Sequence, residues 1–334
     1  MRKVRVAING FGRIGRTVLR AWLQRRATAP ASAAAAIEIV AVNDIAAPEM
    51  CAYLFQYDSV FGPWPGRVEL SEGALVVDGQ RLRLTRSADL AKVDLSDCDV
   101  LMECTGRADT PEIAGRGLAA GAGRILISGP SKAAELTVVL GANDDLLSDQ
   151  RIVSNASCTT NALAPLVRVL DTAFGIETGW MTTIHCYTGS QPTVDAPAAD
   201  FARSRAAALS MVPTTTSAQR LLDVVLPGLA GRIEGAAVRV PSASVSAVDL
   251  AVMTRVQPSP EAANAVLRSA GGVIGWTEQP LVSSDLRARP ESIVMALPET
   301  RTTQGGMLRV FGWYDNEWGF SSRMIDVAAR MGRR

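Results

Sequence analysis

The sequence predicts an α/β fold with a doubly wound parallel sheet, followed by an α+β domain on a mixed or antiparallel sheet. Three observations support this prediction. Strand-like runs alternate with Ala-rich helical patterns up to residue 154, and longer strand patterns follow it. The chain also has 334 residues, of which 48% are hydrophobic. That length and apolar content predict two cores rather than one.

The first elements are a strand, a glycine-rich turn and a helix. Residues 3–9 (KVRVAIN) have the pattern of a short buried strand, residues 10–15 (GFGRIG) form the turn, and residues 16–25 favour a helix. The alanine-rich residues 27–36 predict a surface insertion before the next strand, at residues 37–43.

Later elements change in character at residue 154. Before it, strand patterns cover residues 99–104, 124–128, 137–140 and 151–154. After it, we expect helices at residues 158–174 and 316–330, and strands at residues 181–187, 237–240, 245–256 and 307–314. Residues 188–216 have no clear period, which indicates a functional or interface loop.

Charge and cysteine content exclude several classes of protein. With 34 basic and 33 acidic residues the net charge is +1, so neither nucleic acid nor an anionic membrane is expected as a main partner. No apolar run approaches the roughly 20 residues of a membrane helix, and residues 1–3 lead directly into a strand without a signal-peptide core. Five cysteines without CxxC spacing predict neither a disulfide framework nor a metal site. We therefore expect an unprocessed cytoplasmic protein.

The glycine-rich turn predicts a dinucleotide site. A GxGxxG pattern alone also occurs in ordinary tight turns, but here it follows a strand, opens a helix and is answered by Asp44 at the end of the next strand. Asp44 can accept hydrogen bonds from ribose hydroxyls and repel a 2′-phosphate, which favours NAD over NADP. Cofactor contacts are expected from Gly10, Phe11, Gly12, Arg13, Ile14 and Gly15.

One cysteine and the single histidine suggest nucleophilic catalysis. Cys158 stands where polar capping residues give way to an apolar helical run, and a helix N-terminus favours the thiolate. The other four cysteines are interpreted as small core residues. A lone histidine is usually structural, yet His185 close to Cys158 would hold the thiolate and accept a proton during aldehyde oxidation. The sequence alone does not bring the two residues together.

Seven segments resemble phosphorylating glyceraldehyde-3-phosphate dehydrogenases, and the resemblance spans nearly the whole chain. They are AINGFGRIGR, the VND turn ending in Asp44, SNASCTTN, TTIHCYT, RAAALSMVPTTT, RVPSASVSAVDL and WYDNEWGFSSRM. The resemblance implies a Rossmann domain at residues 1–153 and 317–334, with a returning C-terminal helix, and a catalytic domain at residues 154–316. It also implies a homotetramer with a long loop beside a neighbour's cofactor site.

The resemblance also assigns roles to individual residues. Asn316 is expected to hold the nicotinamide carboxamide, and Thr105 and Gly106 to line the cofactor cleft. Substrate phosphate and inorganic phosphate are expected at Ser157, Thr159, Thr188, Arg203, Thr216, Ser217 and Arg239. Hydroxyl and guanidinium groups of this kind hold phosphate oxygens.

The chain departs from the family's usual residues at five places. Ala162 stands where a second cysteine is usual, Phe61 replaces a histidine, and Ala196 replaces the leucine of a Leu-Pro pair. Ser190 replaces an aspartate and Ser217 a glycine, both beside the expected phosphate sites. Reaction type is therefore better specified by the sequence than substrate identity.

The expected activity is NAD-dependent oxidation of glyceraldehyde 3-phosphate to an acyl phosphate through a cysteine thioester, in glycolysis or gluconeogenesis. Erythrose 4-phosphate or another small aldehyde phosphate is an alternative substrate for the same fold. Rates measured on purified aldehydes separate these two readings. A non-catalytic NAD-binding regulatory or RNA-associated protein is the alternative from another class, and the intact Cys158 and His185 count against it.

Overall fold

A computed structural model describes residues 2–332 and divides the chain into two compact units. Unit 1 comprises the chain up to Val138, Asp144–Ala156 and the segment from Ser321 onward. Unit 2 comprises Val139–Asn143 and Ser157–Phe320. These boundaries lie a few residues after those placed from the sequence, and the short segment Val139–Asn143 belongs to unit 2.

The described part of unit 1 contains a nine-stranded sheet. Its strands are β1 (Val4–Asn9), β2 (Ile37–Asn43), β3 (Val68–Ser71), β4 (Ala74–Val77), β5 (Gln80–Thr85), β6 (Val100–Glu103), β7 (Arg124–Ile127), β8 (Leu136–Thr137) and β9 (Ile152–Ser154). The strand order is β3-β4-β5-β2-β1-β6-β7-β9-β8. From β5 to β8 all neighbours are parallel, whereas β3, β4 and β5 form an antiparallel meander at one edge.

This topology confirms the predicted parallel sheet. It also shows where a ligand-binding crevice is expected. β1 lies between β2 and β6, so the winding direction of the sheet reverses at β1. In open α/β sheets, ligands bind outside the carboxyl ends of the strands at such a reversal. Asn9, Asn43 and Glu103 are the last residues of these three strands.

Four helices complete the description of unit 1 before residue 157: α1 (Arg13–Thr28), α2 (Ala33–Ala36), α3 (Pro48–Gln56) and α4 (Pro111–Ala119). The alanine-rich segment is only partly the surface insertion that the sequence predicted. Residues 27–31 are exposed, but Ala34 is buried and its carbonyl accepts a hydrogen bond of 3.0 Å from the indole of Trp22. Small side chains allow that close approach of the segment to the core.

The described residues of unit 2 form an eight-stranded sheet with helices. The helices are α5 (Cys158–Phe174), α6 (Ala218–Val225), α7 (Pro260–Ala270) and α8 (Trp318–Met331), the last of which continues into unit 1. The strands are β10 (Ile176–Cys186), β11 (Val212–Thr214), β12 (Ile233–Val240), β13 (Ser246–Thr254), β14 (Ile274–Thr277), β15 (Ile293–Ala296), β16 (Arg301–Thr302) and β17 (Leu308–Tyr314).

The second sheet is mixed, as predicted. Its order is β11-β12-β10-β13-β17-β15-β14, with β16 paired to β17. β10 runs parallel to β12 and antiparallel to β13. It begins at Ile176, five residues before the predicted start at Met181, because the exposed residues Glu177 and Thr178 conceal the strand pattern.

Helix α5 has the bounds that the sequence predicted, and its ends explain why. The Ser157 side chain accepts a hydrogen bond of 3.1 Å from the N–H of Thr160, which caps the N-terminus. Gly175, with φ of 68°, ends the helix in a conformation that favours glycine. Among residues 2–332, no helix has the length and apolar character needed to cross a membrane.

Candidate active site

Cys158 and His185 meet in unit 2. Cys158 is the first residue of α5, and His185 is the penultimate residue of β10. The Cys158 Sγ lies 3.6 Å from His185 Nε2. His185 is buried, whereas Cys158 stays partly exposed and thus accessible to a small substrate. The helix N-terminus and the strand end therefore place a thiol against an imidazole, as nucleophilic catalysis requires.

The second ring nitrogen of His185, Nδ1, has two polar neighbours. It lies 2.7 Å from the Cys186 carbonyl oxygen and 2.8 Å from Arg239 Nη1. A carbonyl can only accept and a guanidinium can only donate, so the first contact favours a protonated Nδ1 and the second an unprotonated one. Arg239 Nη1 also donates to the same carbonyl at 3.2 Å. In the tautomer with the proton on Nδ1, Nε2 is unprotonated and accepts from the Cys158 thiol.

Sheet register explains the proximity of Arg239. In the parallel pair β10 and β12, His185 is the direct partner of Arg239. Burial, and next the charge of Arg239, lower the pKa of His185 to about 4, against a smaller opposing effect of the Cys186 carbonyl. The imidazole is therefore neutral at neutral pH and able to act as a base.

Opposing effects act on the pKa of the Cys158 thiol. Burial raises this pKa, and hydrogen bonds from Thr159, the charge of Arg239 and the backbone N–H of Cys158 lower it but offset burial only in part. The helix-end N–H groups therefore favour the thiolate, and burial of the sulfur opposes them. Desolvation of the anion outweighs the helix-end N–H groups. The resting pair is thiol and imidazole, and the thiolate forms when the proton moves to Nε2.

A separate cavity in unit 1 fits the predicted cofactor cradle. Its volume is about 440 Å³, and it lies at the carboxyl ends of β1, β2 and β6. Its lining includes Gly10, Gly12, Asp44 and Thr105. Gly10 has φ of 88°, and a Cβ there would lie 2.8 Å from the Thr105 backbone nitrogen. A side chain larger than hydrogen at Gly10 would therefore clash at the cavity wall.

The first turn of α1 offers backbone donors to this cavity. The helix begins at Arg13, three residues before the predicted start, so Arg13, Ile14 and Gly15 belong to its first turn. A Cβ on Gly15 would overlap the Gly10 carbonyl oxygen, so glycine permits the close packing of helix and turn. Unpaired N–H groups at such a helix start bind phosphate oxygens.

Comparison with known proteins finds one family along most of the chain. A family model described as the glyceraldehyde 3-phosphate dehydrogenase NAD binding domain matches residues 4–111, and the C-terminal domain model of the same family matches residues 157–316. Glyceraldehyde-3-phosphate dehydrogenase from Xanthobacter flavus is 45% identical over 338 residues, which covers 99% of each chain. The enzyme of that name from Cereibacter sphaeroides is 45% identical over 336 residues, again with 99% of each covered. Glyceraldehyde-3-phosphate dehydrogenase 1 from Bacillus subtilis is 39% identical over 340 residues, with 99% of each covered.

The chain belongs to the glyceraldehyde-3-phosphate dehydrogenase family. Membership identifies it as an NAD-dependent oxidoreductase that acts on an aldehyde group. The residues of unit 1 fit NAD, because Gly12 faces open space and Asp44 stands at the cavity wall. Among residues 2–332 no cluster of three or more metal-ligating side chains was found.

The Asp44 carboxylate is held in place by backbone N–H groups of the glycine-rich turn and of its own loop. One carboxylate oxygen accepts from the Phe11 N–H at 2.5 Å, and the other accepts from the Ala46 N–H at 2.8 Å. Each oxygen has remaining lone pairs for ribose hydroxyls. Arg13 forms a 2.5 Å ion pair with Asp58 and lies 5.5 Å from the ring centre of Phe61. Phe61 therefore packs against Arg13.

Glu103 is a cofactor-cleft residue that the sequence analysis missed. One oxygen of this buried carboxylate accepts from the Thr105 N–H at 2.8 Å and from its hydroxyl at 2.5 Å. The other accepts from Asn9 Nδ2 at 2.5 Å. Glu103 thus fixes the turn through Thr105 and Gly106, whose φ is 70°. The available signal was a carboxylate at the end of an otherwise apolar buried strand.

Tyr314 is the second residue that sequence reasoning missed. Its buried hydroxyl lies 2.9 Å from the Thr159 hydroxyl and 2.8 Å from the Thr183 hydroxyl. Its ring centre lies 6.0 Å from that of His185 in an edge-on arrangement. Tyr314 therefore ties α5 to β10 immediately beside the reactive pair.

The expected phosphate residues are distributed over unit 2. Arg239 contacts His185, and Ser157 and Thr159 flank Cys158. The Thr188 hydroxyl lies 2.9 Å from that of Ser190. Arg203 Nε donates to Thr214 at 2.7 Å.

The remaining two lie at the start of α6. The Thr216 hydroxyl accepts from the Ala218 N–H at 3.2 Å. Ser217 is exposed with φ of −75°, so glycine is not required there by the backbone. Asn316 is also in unit 2, just after β17, and is buried.

Proposed function

We propose that this chain oxidises glyceraldehyde 3-phosphate with NAD and inorganic phosphate to an acyl phosphate. The supporting observation is the 3.6 Å contact between the Cys158 Sγ and His185 Nε2. A nucleophile and its base within reach of one another are what a cysteine thioester mechanism needs. The glyceraldehyde-3-phosphate dehydrogenases named above support this choice of aldehyde.

The first step forms a carbon–sulfur bond. The Cys158 thiol proton passes to Nε2, and the thiolate adds to the aldehyde carbon while the carbonyl electrons move to oxygen. The imidazolium returns its proton to that oxygen, giving a hemithioacetal and neutral His185. Backbone N–H groups of Cys158 and Thr159, which face the sulfur, stabilise negative charge during the addition.

The second step oxidises the hemithioacetal. NAD, when bound, supplies the hydride acceptor. His185 Nε2 removes the hydroxyl proton as the hydride leaves the carbon, and a thioester remains on Cys158. Because the pKa of His185 is depressed by burial and by Arg239, its neutral form dominates at neutral pH and is ready for this transfer.

The third step releases the product. An oxygen of inorganic phosphate attacks the thioester carbon, and the carbon–sulfur bond breaks. Cys158 leaves as a thiolate that takes back the proton held on His185 Nε2, and the phosphate releases its own proton to water. We assign the guanidinium groups of Arg239 and Arg203 and the hydroxyl of Thr188 to the phosphate groups, with further hydroxyls at Ser157, Thr159, Thr216 and Ser217. Their chemistry supports this role, since guanidinium forks and hydroxyls match phosphate oxygens.

Steady-state rates on two aldehydes test the proposal. Glyceraldehyde 3-phosphate and erythrose 4-phosphate are compared, each with and without inorganic phosphate. We expect NADH formation to require phosphate in multiple-turnover reactions and kcat/KM to be higher for glyceraldehyde 3-phosphate. Cys98→Ser, which changes a buried cysteine of unit 1, is the matched control and should retain activity. Sustained phosphate-independent turnover, or preference for erythrose 4-phosphate, would contradict the proposal.

The assembly that we propose is a homotetramer. Within the segment 188–216, several apolar side chains are almost fully exposed in the single chain, among them Phe201 at 93%, Leu209 at 84% and Met211 at 74%. Exposed apolar side chains in such number favour burial against another copy of the chain. Sedimentation should give the mass of four chains, and Phe201→Ser should shift it toward smaller species. A cytoplasmic location is part of the same proposal and is tested by cell fractionation.

A further inference from the structure

The thiol of Cys186 has no part in the chemistry above, yet the residue is the chain neighbour of His185 and its thiol contacts Asn316. It follows His185 in β10 and is fully buried. Its backbone N–H donates to the Ser246 hydroxyl oxygen at 3.1 Å. Its Sγ lies 3.1 Å from Asn316 Oδ1.

The direction of the Cys186–Asn316 hydrogen bond follows from the donors available. An amide oxygen can only accept, so the thiol must donate. Burial raises the pKa of Cys186 to about 12, which keeps the proton on sulfur at neutral pH. The Ser246 hydroxyl, which accepts from the Cys186 backbone N–H, also lies beside this sulfur. The thiol proton is directed at Asn316 Oδ1.

This hydrogen bond sets which end of the Asn316 amide is free. An asparagine amide can turn by half a revolution and exchange its oxygen and nitrogen with little change in shape. Here the turned amide would place its N–H groups against a thiol donor. With Oδ1 held by Cys186, Nδ2 has no hydrogen-bond partner among residues 2–332. The buried asparagine thus presents a donor to whatever binds beside it.

We propose that Cys186 is a positioning residue that orients the Asn316 amide, so that Nδ2 donates to the carboxamide oxygen of the nicotinamide ring. The inference rests on the proposed function and on the family resemblance, which implies that Asn316 holds the nicotinamide carboxamide. In this proposal the Cys186 thiol, which takes no part in the reaction, determines whether the Asn316 amide presents its N–H groups or its oxygen to the nicotinamide. Loss of the thiol donor frees the Asn316 amide to turn. In the turned molecules Oδ1 faces the carboxamide oxygen of the nicotinamide, so two acceptors oppose each other.

Binding of two ligands to the resting enzyme tests this role without catalysis. NAD carries the nicotinamide ring, and ADP-ribose carries the rest of the molecule but lacks the ring. Isothermal calorimetry with Cys186→Ala should show a Kd for NAD raised roughly 3- to 10-fold, the worth of one hydrogen bond. The Kd for ADP-ribose should be unchanged. Cys186→Ser, which keeps a donor, should restore NAD affinity, and Cys98→Ala should leave both ligands unaffected.

A double-mutant cycle separates positioning from general packing. Asn316→Ala should weaken NAD binding, and adding Cys186→Ala to it should weaken binding no further, since Cys186 acts through Asn316. If Cys186→Ala fails to fold, Cys186→Val replaces it in every comparison.

The possible results are distinguishable. Equal weakening of NAD and ADP-ribose, no weakening of either, or additive effects in the cycle would overturn the role of Cys186 while leaving the proposed function intact. Failure of the wild-type protein to bind NAD would overturn both.

Discussion

Because the chain has a single histidine, the effect of the Arg239 charge on the pKa of His185 can be measured from one signal. His185 is the only imidazole in the chain, so labelled histidine gives one ring resonance and one titration. In the wild-type protein we expect its midpoint at about 4, because burial and Arg239 both disfavour the imidazolium. The perturbation is Arg239→Gln, which keeps a hydrogen-bond donor and removes the charge.

The size of the effect follows from the contact. Arg239 Nη1 lies 2.8 Å from Nδ1. Two unit charges about 4 Å apart repel by about 1 kcal/mol in water and about 4 kcal/mol at an effective dielectric constant of about 20. Arg239 is partly exposed, and burial is the larger cause of the shift, so the lower end applies. At about 1.4 kcal/mol for each pKa unit, we expect the midpoint to rise by about one unit.

The assay is a pH titration followed by nuclear magnetic resonance of the labelled ring. Addition of inorganic phosphate to the wild-type protein should raise the midpoint in the same direction, because an anion on Arg239 neutralises its charge. An equimolar chloride salt is the control for ionic strength. A midpoint near 6.5 in the wild-type protein, or no change in Arg239→Gln, would refute the reasoning.

Three further outcomes are expected. Asp44→Gly should lower kcat/KM with NAD and raise it with NADP, because the carboxylate at the cavity wall repels a 2′-phosphate. Tyr314→Phe should lower the free energy of unfolding by about 1–3 kcal/mol in urea denaturation, because the Thr159 and Thr183 hydroxyls lose their buried partner. The free energy of unfolding should also fall by about 3 kcal/mol as pH decreases from 6.5 toward 4, since the unfolded chain protonates His185 first. In His185→Asn this last contribution should be absent.

Each outcome has a clear contrary result. An unchanged NAD to NADP ratio in Asp44→Gly would show that another residue sets the preference. Full stability of Tyr314→Phe would show that water replaces the phenol at no cost. The same pH slope in the wild-type protein and His185→Asn would show that the imidazole is not depressed in the folded state.

Local patterns account for the parts of the fold that the sequence predicts well. β2 has the bounds predicted for residues 37–43 because a continuous apolar run leads to its end, and α5 has its predicted bounds because Ser157 and Gly175 mark both ends. The edge meander of β3, β4 and β5 was not predicted, since β3 and β5 are mostly exposed or half-buried and the buried β4 has only four residues. Exposed strands lack the apolar alternation on which the prediction depends.

Long-range contacts account for what the sequence missed in the candidate site. Cys158 and His185 were identified, but their 3.6 Å contact depends on the packing of α5 against the β10 sheet. Tyr314 acts through Thr159 and Thr183, and Glu103 is held by Asn9 as well as by the nearby Thr105. No spacing rule reveals the distant pairs. The sequence shows the helix-end groups that lower the Cys158 pKa but not the burial that raises it, because burial is a property of the folded chain.

Intact-protein and peptide mass spectrometry after single turnover tests the central claim most directly. The enzyme is mixed with NAD and glyceraldehyde 3-phosphate without inorganic phosphate and quenched in acid. We expect one acyl adduct per chain, confined to the peptide that contains Cys158, and its disappearance when phosphate is added before the quench. An adduct on Cys104 or Cys186, or NADH formation in Cys158→Ser at the wild-type rate, would contradict the account.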